Sequence, residues 1–436
     1  MNSPVGIRRE DKNDFEARVP LTPDDMAAVI KETGAEFVVQ PSDLRVLPDD
    51  LYKQAGAQIA EDISGCPLVL AVKEIPEEFF HEGNTYVFFS HTIKGQDYNM
   101  PMLRKLMELK CNLIDYEKIT DEQGRRLIFF GRYAGLAGMI DTLWALGKRL
   151  DAENIDNPFS DIKVTYQYGG LPGAKEAVKH LSRRIKSEGI PDQIAPLVTG
   201  FAGYGNVSRG AQEIYDILPV VEIEPDELPW LMGQEYDFKH QVFKVVFKEE
   251  HMVTPVGDLD TFELLDYYNN PERYRSVFAK YLPELTVLVN CIFWDTMYPR
   301  LMTKEFAQHY YSEPESAKLK VIGDISVDIE GAVEPTVKAT EPDNPAYIYD
   351  IYKDEAIDAF TGNGPLIMAV DNLPCELPLE SSKEFSKVLK KFAPGIINAD
   401  FNKSFNECGL PDELQRATVL YKGEFTPDFE YMKNFL

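Results

Sequence analysis

The sequence has 436 residues, of which 44% are hydrophobic and 27% charged, and 72 acidic residues against 45 Lys and Arg residues give a formal net charge of −27. The length predicts two folded domains, and the composition, without low-complexity segments or internal repeats, excludes a disordered chain. Because so strong a negative charge repels phosphate groups, we expect no nucleic-acid partner and no binding to an anionic membrane surface.

The apolar runs, the cysteines and the histidines exclude further classes of protein. The longest apolar runs reach about half the length that crosses a bilayer, and the N-terminus lacks the apolar stretch of a secretory signal, so we expect a cytoplasmic protein. The five widely spaced cysteines form no Cys-x-x-Cys pair and predict reduced core residues. The six histidines include no metal-binding pair, so we expect no metal site.

In chain order, the first part of the sequence alternates short β-type runs with amphipathic stretches. The β-type runs are 36–40, 68–72, 86–90 and 112–116, and the amphipathic stretches are 22–33 and 100–109. This alternation predicts a parallel sheet covered by helices. A further helix is predicted at 135–150, where glycines and alanines favour close packing or a hinge between domains.

A second α/β unit is predicted around the glycine-rich segment 200–211. An apolar strand is expected at 195–200, a helix at 207–218 and a strand at 220–223, which is the order of a dinucleotide-binding unit. The spacing Gly203-x-Gly205-x-x-x-x-Gly210 is two residues longer than the common Gly-x-Gly-x-x-Gly, so a tight turn without a ligand is the alternative. The remaining predicted elements are strands at 285–292, 320–325 and 366–370, a helix at 381–392 and an irregular tail.

The glycine turn and the acids after the next strand are the predicted cofactor contacts. Glycines let the backbone approach a pyrophosphate, which a helix N-terminus attracts. Glu222 and Glu224 could accept hydrogen bonds from an adenosine ribose, which would favour NAD. Arg209 could instead bind the 2′-phosphate of NADP. The alternative for the two acids is a solvent-exposed strand edge without a ligand. The predicted cofactor is NAD(P)H, with NADH versus NADPH left open, and its predicted contacts are Gly203, Gly205, Asn206, Val207, Gly210, Glu222 and Glu224.

The N-terminal half carries a denser set of polar residues at predicted strand ends. Lys73 closes one apolar strand, His91 and Lys94 follow another, and Glu117 follows a third. Ligands of parallel α/β sheets bind outside the carboxyl ends of the strands, so these residues are candidates for substrate contacts. For any one of them, surface solvation is the alternative.

Seven segments of the sequence carry a family resemblance. They are Ile7–Asp11, Glu16–Arg18, Leu21–Pro23, Phe88–Lys94, Leu113–Lys118, Gly205–Gln212 and Asp371–Pro374. In this order they closely resemble the lysine-ketoglutarate reductase part of aminoadipic semialdehyde synthase. More distantly they resemble the fungal saccharopine dehydrogenases of the alanine dehydrogenase and transhydrogenase superfamily.

The resemblance implies a reversible reductive condensation, in which lysine and 2-oxoglutarate join through an imine that NAD(P)H reduces to saccharopine. It also implies that Lys73 and His91 form the acid-base pair of this reaction. Forming the carbinolamine, losing water and protonating the amine each move a proton near neutral pH, where a histidine titrates and a buried lysine can be brought to titrate.

The same resemblance assigns the remaining substrate residues. Arg18, Lys94 and Arg126 look similar to the family's contacts with substrate carboxylates, for which planar Arg groups are suited. The other predicted roles are tuning of the lysine and the histidine by Glu16 and Glu117, and contact with the substrate amine by Asp371.

Together these observations predict two Rossmann-like α/β domains with parallel sheets and an interdomain cleft. Residues 1–132 with 381–436 are expected to bind the small-molecule substrates, and residues 133–380 the dinucleotide. A homo-oligomer is compatible with this interpretation. The alternatives are another amino-acid or opine dehydrogenase of the alanine dehydrogenase superfamily, or a catalytically silent sensor of dinucleotides or metabolites.

Overall fold

The computed structural model describes residues 4–234, 237–257, 261–313 and 317–436, and the chain divides into two compact units. The first unit comprises the chain up to Phe130 together with Pro378–Leu436, and the second comprises Gly131–Leu377. The boundaries predicted from the sequence, 132/133 and 380/381, lie two and three residues away. Which ligand each unit binds stays a prediction. Strands and helices are numbered below along the whole chain.

The first unit is built on one eight-stranded sheet. Its strands are β1 (Val5–Ile7), β2 (Phe37–Val39), β3 (Gln58–Ile59), β4 (Leu68–Leu70), β5 (Thr85–Phe88), β6 (Asn112–Asp115), β17 (Thr418–Tyr421) and β18 (Glu424–Phe425). Across the sheet the order is β18-β17-β6-β5-β4-β1-β2-β3, and the pairs among β1 to β6 are parallel. All residues of β4, β5 and β6 are buried, as in a sheet covered on both faces. The predicted parallel sheet is therefore confirmed here.

Helices cover this sheet, and local sequence signals set their ends. They are α1 (Pro23–Thr33), α2 (Asp49–Gln54), α3 (Met100–Glu108), α11 (Pro378–Ile397) and α12 (Asp412–Ala417). At the start of α1 the side chain of Thr22 accepts a hydrogen bond from the backbone N–H of Asp25, and at its end Gly34 takes a left-handed conformation (φ +70°).

Helix α11 returns the C-terminal segment to the N-terminal one. The backbone N–H of Val19 donates a 3.0 Å hydrogen bond to Oγ of Ser382, and that of Thr22 donates a 2.8 Å bond to Oγ of Ser386. All four residues are buried. These bonds fix the segment from Val19 to Thr22, which directly follows Arg18, against helix α11.

The predicted irregular tail is wrong. After α11 the chain forms α12 and then β17, whose four residues are buried and pair antiparallel with β6. Strand β18 pairs antiparallel with β17 and forms the edge of the sheet. Strands of four and two residues are too short for hydrophobic periodicity to reveal them, which is why the sequence pattern looked irregular.

The second unit contains another eight-stranded sheet and a small two-stranded one. The strands are β7 (Val198–Ala202), β8 (Val220–Glu222), β9 (Val242–Phe247), β10 (Val253–Pro255), β11 (Tyr274–Ser276), β12 (Val287–Asn290), β13 (Val321–Asp324), β14 (Ala346–Asp350), β15 (Glu355–Ile357) and β16 (Leu366–Met368). The large sheet has the order β15-β14-β16-β13-β12-β7-β9-β8. Its strands from β8 to β16 in this order pair in parallel, and β14 and β15 add an antiparallel edge that the sequence did not predict.

Two helices of the second unit pack unusually closely. Its helices are α4 (Gly131–Ala152), α5 (Leu171–Glu188), α6 (Asn206–Tyr215), α7 (Leu228–Met232), α8 (Glu249–Met252), α9 (Leu264–Asn269) and α10 (Lys304–Tyr310). A Cβ added at Gly135 of α4 would lie 1.9 Å from the carbonyl oxygen of Val207, and one added at Gly210 of α6 would lie 2.1 Å from that of Arg132. Only glycine fits at both positions, which confirms the predicted close packing of the first of these helices.

Each unit has its own hydrophobic core, and in the second unit the core lies in two separate clusters. All five cysteines are buried and free. Of the helices within the described ranges, none combines the length and the apolar character that a membrane span requires.

Candidate active site

Neighbouring strands of the first sheet bring the predicted catalytic residues to one edge. Lys73 and Glu74 follow β4, His91 follows β5, and Asp115 is the last residue of β6. Because these strands are adjacent and parallel, their carboxyl ends lie at the same edge of the sheet. The predicted pair, Lys73 and His91, is therefore carried by two adjacent strand ends.

A carboxylate orients the imidazole of His91. Nδ1 of His91 lies 2.7 Å from Oε1 of Glu74, whose side chain is only 10% exposed, and Nζ of Lys12 lies 3.2 Å from the same oxygen. His91 has a left-handed backbone (φ +48°), which is rare outside glycine and concentrated at functional sites. Within the described ranges Nε2 of His91 makes no hydrogen bond, so this nitrogen is available to a ligand.

The neighbours of Glu74 keep it ionised. Burial raises the pKa of its carboxyl, but the hydrogen bond with His91 and the positive charges of His91, Lys73 and Lys12 outweigh burial and lower that pKa well below its usual range. An ionised Glu74 favours the tautomer with the proton on Nδ1. Nε2 can then accept a proton.

A second buried carboxyl supports the segment that carries Lys73. Oε1 of Glu10 accepts a 2.7 Å hydrogen bond from the backbone N–H of Val72, and Oε2 accepts a 2.9 Å bond from that of Lys73. Burial, followed by the negative charge of Glu16, raises the pKa of Glu10 to about 7. The position of Lys73 thus depends on a group that titrates near neutral pH.

A buried network fixes the end of β5. The hydroxyl of Ser90 donates to Oδ2 of Asp115, and its backbone N–H donates a 3.1 Å bond to the same oxygen. Oδ1 of Asp115 accepts a 2.8 Å hydrogen bond from the backbone N–H of Glu117. Ser90 precedes His91, so this network limits the freedom of the backbone next to the imidazole.

Arg18 is buried and held rigidly. Its Nε donates a 2.7 Å hydrogen bond to Oε1 of Glu16, and its Nη2 donates to Oε2 of the same carboxylate. The guanidinium carbon lies 4.4 Å from the centroid of the Phe130 ring. Glu16, predicted to tune the catalytic groups, therefore also orients Arg18. A pre-oriented planar cation is suited to recognising a carboxylate.

The other predicted substrate residues are more exposed. Arg126 is 43% exposed, and its Nη1 lies 3.3 Å from Oε1 of Glu117. Lys94 is exposed in the turn after β5. Asp371 lies in the second unit, after β16. The substrate contacts predicted for Lys94, Arg126 and Asp371 stay predictions.

The second unit has a cavity of about 320 Å³ at the carboxyl ends of β7, β9 and β12. These three strands are adjacent. The strands β9 and β8 lie on one side of β7, and β12 and β13, which come later in the chain, lie on the other. Parallel α/β sheets bind ligands at such a reversal of strand order. The cavity is lined by Gly203, Tyr204, Gly205, Glu249, Met252, Tyr267, Tyr268, Cys291, Ile292, Phe293, Tyr298 and Pro299.

The glycine turn fits a dinucleotide, with one correction to the prediction. Gly203 has a φ of +93°, and a Cβ there would lie 2.9 Å from Cγ2 of Ile292, whereas Gly205 faces open space and precedes α6. Asn206 and Val207 begin α6 and offer the free N–H groups of a helix N-terminus. Gly210 lies inside α6 against α4, so its small size serves helix packing.

The strand order separates Glu222 and Glu224 from β7, and the ribose contacts predicted for them stay predictions. Strand β8, which carries Glu222, is next to β7 in sequence but not in the sheet, because β9 lies between them. Glu222 stands on the edge strand, 2.9 Å from Nζ of Lys244, and Glu224 begins a short 3-10 turn. The residues that follow the actual neighbour of β7 are Lys248 and Glu249.

Comparison with known proteins agrees with this architecture. Residues 6–137 match the family model described as "Alanine dehydrogenase/PNT, N-terminal domain". The chain is 37% identical, over 99% of its length, to the alpha-aminoadipic semialdehyde synthase of Arabidopsis thaliana, and covers 41% of that protein. The family resemblance seen in the sequence is confirmed. The corresponding mitochondrial protein of Rattus norvegicus is 33% identical over 98% of the chain, which covers 47% of it.

The chain thus spans less than half the length of these relatives. A saccharopine dehydrogenase [NAD(+), L-lysine-forming] of Yarrowia lipolytica is 25% identical over 89% of this chain and 91% of its own length. Among solved structures, an L-alanine dehydrogenase aligns with a TM-score of 0.61 at 15% identity, covering 99% of this chain and 100% of that one. This last likeness shows the fold.

Three acids escaped the prediction from the sequence. Glu74 directly follows the predicted Lys73, Glu10 lies in a segment that carries the resemblance, and Glu249 follows a strand that was not predicted. Glu74 contacts the imidazole of His91, and the tuning role predicted for Glu117 stays a prediction. In the described parts of the chain, no cluster of three His, Cys, Asp or Glu residues could hold a metal ion.

Proposed function

We propose that the chain is an NAD(P)-dependent oxidoreductase that reversibly condenses L-lysine with 2-oxoglutarate to form saccharopine. The observation that carries this proposal is the placement of Lys73 and the Glu74–His91 pair on adjacent strand ends. The substrates are those named for its relatives, which are aminoadipic semialdehyde synthases and lysine-forming saccharopine dehydrogenases.

The residues of the first unit can move the protons that the condensation needs. Nε2 of His91, with Nδ1 held by Glu74, accepts a proton from the attacking amine and returns it to the leaving hydroxyl of the carbinolamine. The ammonium of Lys73 offers a second proton at the next strand end. Arg18, fixed by Glu16, attracts a substrate carboxylate within a protein whose overall charge of −27 opposes it.

The second unit fits a dinucleotide. The turn at Gly203 and Gly205 leaves room for a pyrophosphate beside the N-terminus of α6, and Glu249 lines the same cavity. A bound reduced nicotinamide dinucleotide would supply the hydride that reduces the imine.

Initial rates with the purified chain test this function. We expect reduced cofactor to be oxidised when lysine and 2-oxoglutarate are both present, and not when either is omitted. Turnover with ammonia and pyruvate instead would favour a different amino-acid dehydrogenase. Cofactor binding without turnover on any pair would favour a silent sensor.

A further inference from the structure

A loop of the candidate active site is in contact with a distant part of the chain. The loop, residues 90–95, carries both His91 and Lys94 and is called the His91 loop below. Near its start, the side-chain amide of Asn99 donates a 3.2 Å hydrogen bond to the carbonyl oxygen of His91. Further along, the 3-10 helix Pro427–Phe435 packs against the loop.

Two side chains of this helix contact the second half of the His91 loop. The hydroxyl of Tyr431 donates a 2.7 Å hydrogen bond to the carbonyl oxygen of Ile93. The ring of Phe435 lies against Gly95, where an added Cβ would overlap the ring. Gly95 has a φ of +68°, and its backbone N–H donates a 2.8 Å bond to the carbonyl oxygen of Thr92, which closes a turn. Tyr431 and Phe435 therefore cover this turn.

The helix Pro427–Phe435 is anchored independently of the His91 loop. It follows β18, and the hydroxyl of Thr426 donates a 2.6 Å hydrogen bond to the carbonyl oxygen of Thr418 in β17. Phe429 and Met432 of the helix are buried, and Nζ of Lys118 lies 5.8 Å from the centroid of the Phe429 ring. Because these contacts hold the helix on the sheet, it can restrict the loop without depending on it.

We propose that Tyr431 is a positioning residue, which keeps the imidazole of His91 and the ammonium of Lys94 in place for the substrates, and that the ring of Phe435 supports the same turn. The inference rests on the proposed condensation of lysine with 2-oxoglutarate, and it adds a residue that acts on this reaction from outside the strand ends. A reacting group displaced by about 1 Å can lose a large part of the rate, so a fixed loop backbone matters.

The hydroxyl of Tyr431 remains a donor at neutral pH. Burial, followed by the negative charges of Glu117 and Asp115, raises the pKa of Tyr431 above its usual value. The hydrogen bond to Ile93 is therefore retained over the pH range in which the proposed acid-base groups work.

Steady-state kinetics of the purified chain test the proposal with Tyr431→Phe, which removes only the hydroxyl. We expect kcat with lysine and 2-oxoglutarate to fall about three- to tenfold, the amount that one hydrogen bond contributes. The KM of the reduced cofactor should stay within about twofold, since the cofactor cavity belongs to the second unit. Phe435→Ala should act in the same direction, whereas Phe435→Leu keeps an apolar side chain over Gly95 and should retain more of the kcat.

Hydrogen exchange gives a readout that needs no turnover. In peptides covering residues 89–95, the backbone amides should exchange about three- to tenfold faster in Tyr431→Phe than in the unaltered chain. Tyr352→Phe is the matched control, because it removes a hydroxyl from an exposed tyrosine of the second unit. It should leave kcat and amide exchange within about twofold.

A kcat of Tyr431→Phe within about twofold of the unaltered value would overturn the proposal, as would unchanged amide exchange in the His91 loop. A fall in kcat matched by an equal rise in the KM of the cofactor would show a general disturbance of the fold and would overturn it too. An unaltered chain that does not turn over lysine and 2-oxoglutarate would contradict the proposed function instead, and amide exchange would then decide whether Tyr431 holds the loop.

Discussion

At the scale of single residues, the reactivity of His91 depends on one neighbour. Glu74 lies 2.7 Å from Nδ1 of the imidazole and stays ionised, so it sets both the tautomer and the orientation of the ring. We expect Glu74→Gln to lower kcat with lysine and 2-oxoglutarate about 10- to 100-fold, as for other residues that orient a reacting histidine. Steady-state kinetics would measure this loss.

The control for this variant is Glu78→Gln, because Glu78 is an exposed acid four residues along the chain. It should leave kcat within about twofold. NADH affinity should not change in either variant, since Glu74 belongs to the first unit and the cofactor cavity to the second. A Glu74→Gln protein with normal kcat would show that His91 does not need this carboxylate.

Substitution of both strand-end residues separates proton transfer from cofactor binding. Lys73→Met combined with His91→Gln removes the ammonium and the imidazole, so we expect saccharopine turnover to fall below detection. Affinity for the reduced cofactor should remain nearly unchanged in fluorescence titration. Loss of cofactor binding in the double variant would contradict the assignment of these residues to the acid-base steps.

The site residues that could be predicted from the sequence differ from those that could not in their local sequence context. Lys73 and His91 directly follow apolar strands, and parallel strands deliver such residues to one edge of a sheet, so their proximity was predictable. Glu74 has the sequence context of a solvated acid, and only the path of the chain after β4 brings it to His91. Pair contacts of this kind are set by tertiary structure, which local patterns do not encode.

At the scale of secondary-structure elements, the contact between α4 and α6 depends on glycine. A methyl group at Gly210 would lie 2.1 Å from the carbonyl oxygen of Arg132, so Gly210→Ala must push the two helices apart. We expect a loss of about 3 kcal/mol in the free energy of unfolding, measured in urea. Gly205→Ala is the control, because no atom lies within 4 Å of an added Cβ there, and it should leave the stability nearly unchanged.

Strand order was the element-scale feature that the sequence could not supply. The pattern of strand, glycine turn, helix and strand correctly predicted β7, α6 and β8. It did not predict β9, which inserts between β7 and β8 and separates the strand of Glu222 from the glycine turn. Sequence periodicity reports which residues are buried in a strand, whereas the position of the strand in the sheet depends on the connections and the packing of the whole unit.

At the scale of the whole molecule, buried carboxyl groups make stability depend on pH. Asp141 and Glu376 are at most 1% exposed, and burial raises the pKa of both, with the charge of Asp141 acting further on Glu376. Oδ2 of Asp141 and Oε1 of Glu376 have no other partner in the described structure, as expected of two carboxyls that share a proton. In the first unit, burial and the charge of Glu16 raise the pKa of Glu10 to about 7.

These carboxyls bind protons more tightly in the folded chain than in the unfolded one, where they titrate near pH 4. The stability that their protonated forms contribute is complete below that pH and is lost as the pH rises through the raised values, so the free energy of unfolding should fall between about pH 5 and about pH 8. Glu10 alone accounts for about 3 kcal/mol of this fall, and repulsion within a chain of net charge −27 acts in the same direction. Urea unfolding across this range measures the slope.

The variant Asp141→Asn tests whether Asp141 and Glu376 share a proton. Its amide can still accept hydrogen bonds from Thr165 and can donate one to Glu376, so the variant should be more stable at the alkaline end of the range, and its stability should depend less on pH. A pH dependence as steep as that of the unaltered chain would show that Asp141 and Glu376 share no proton.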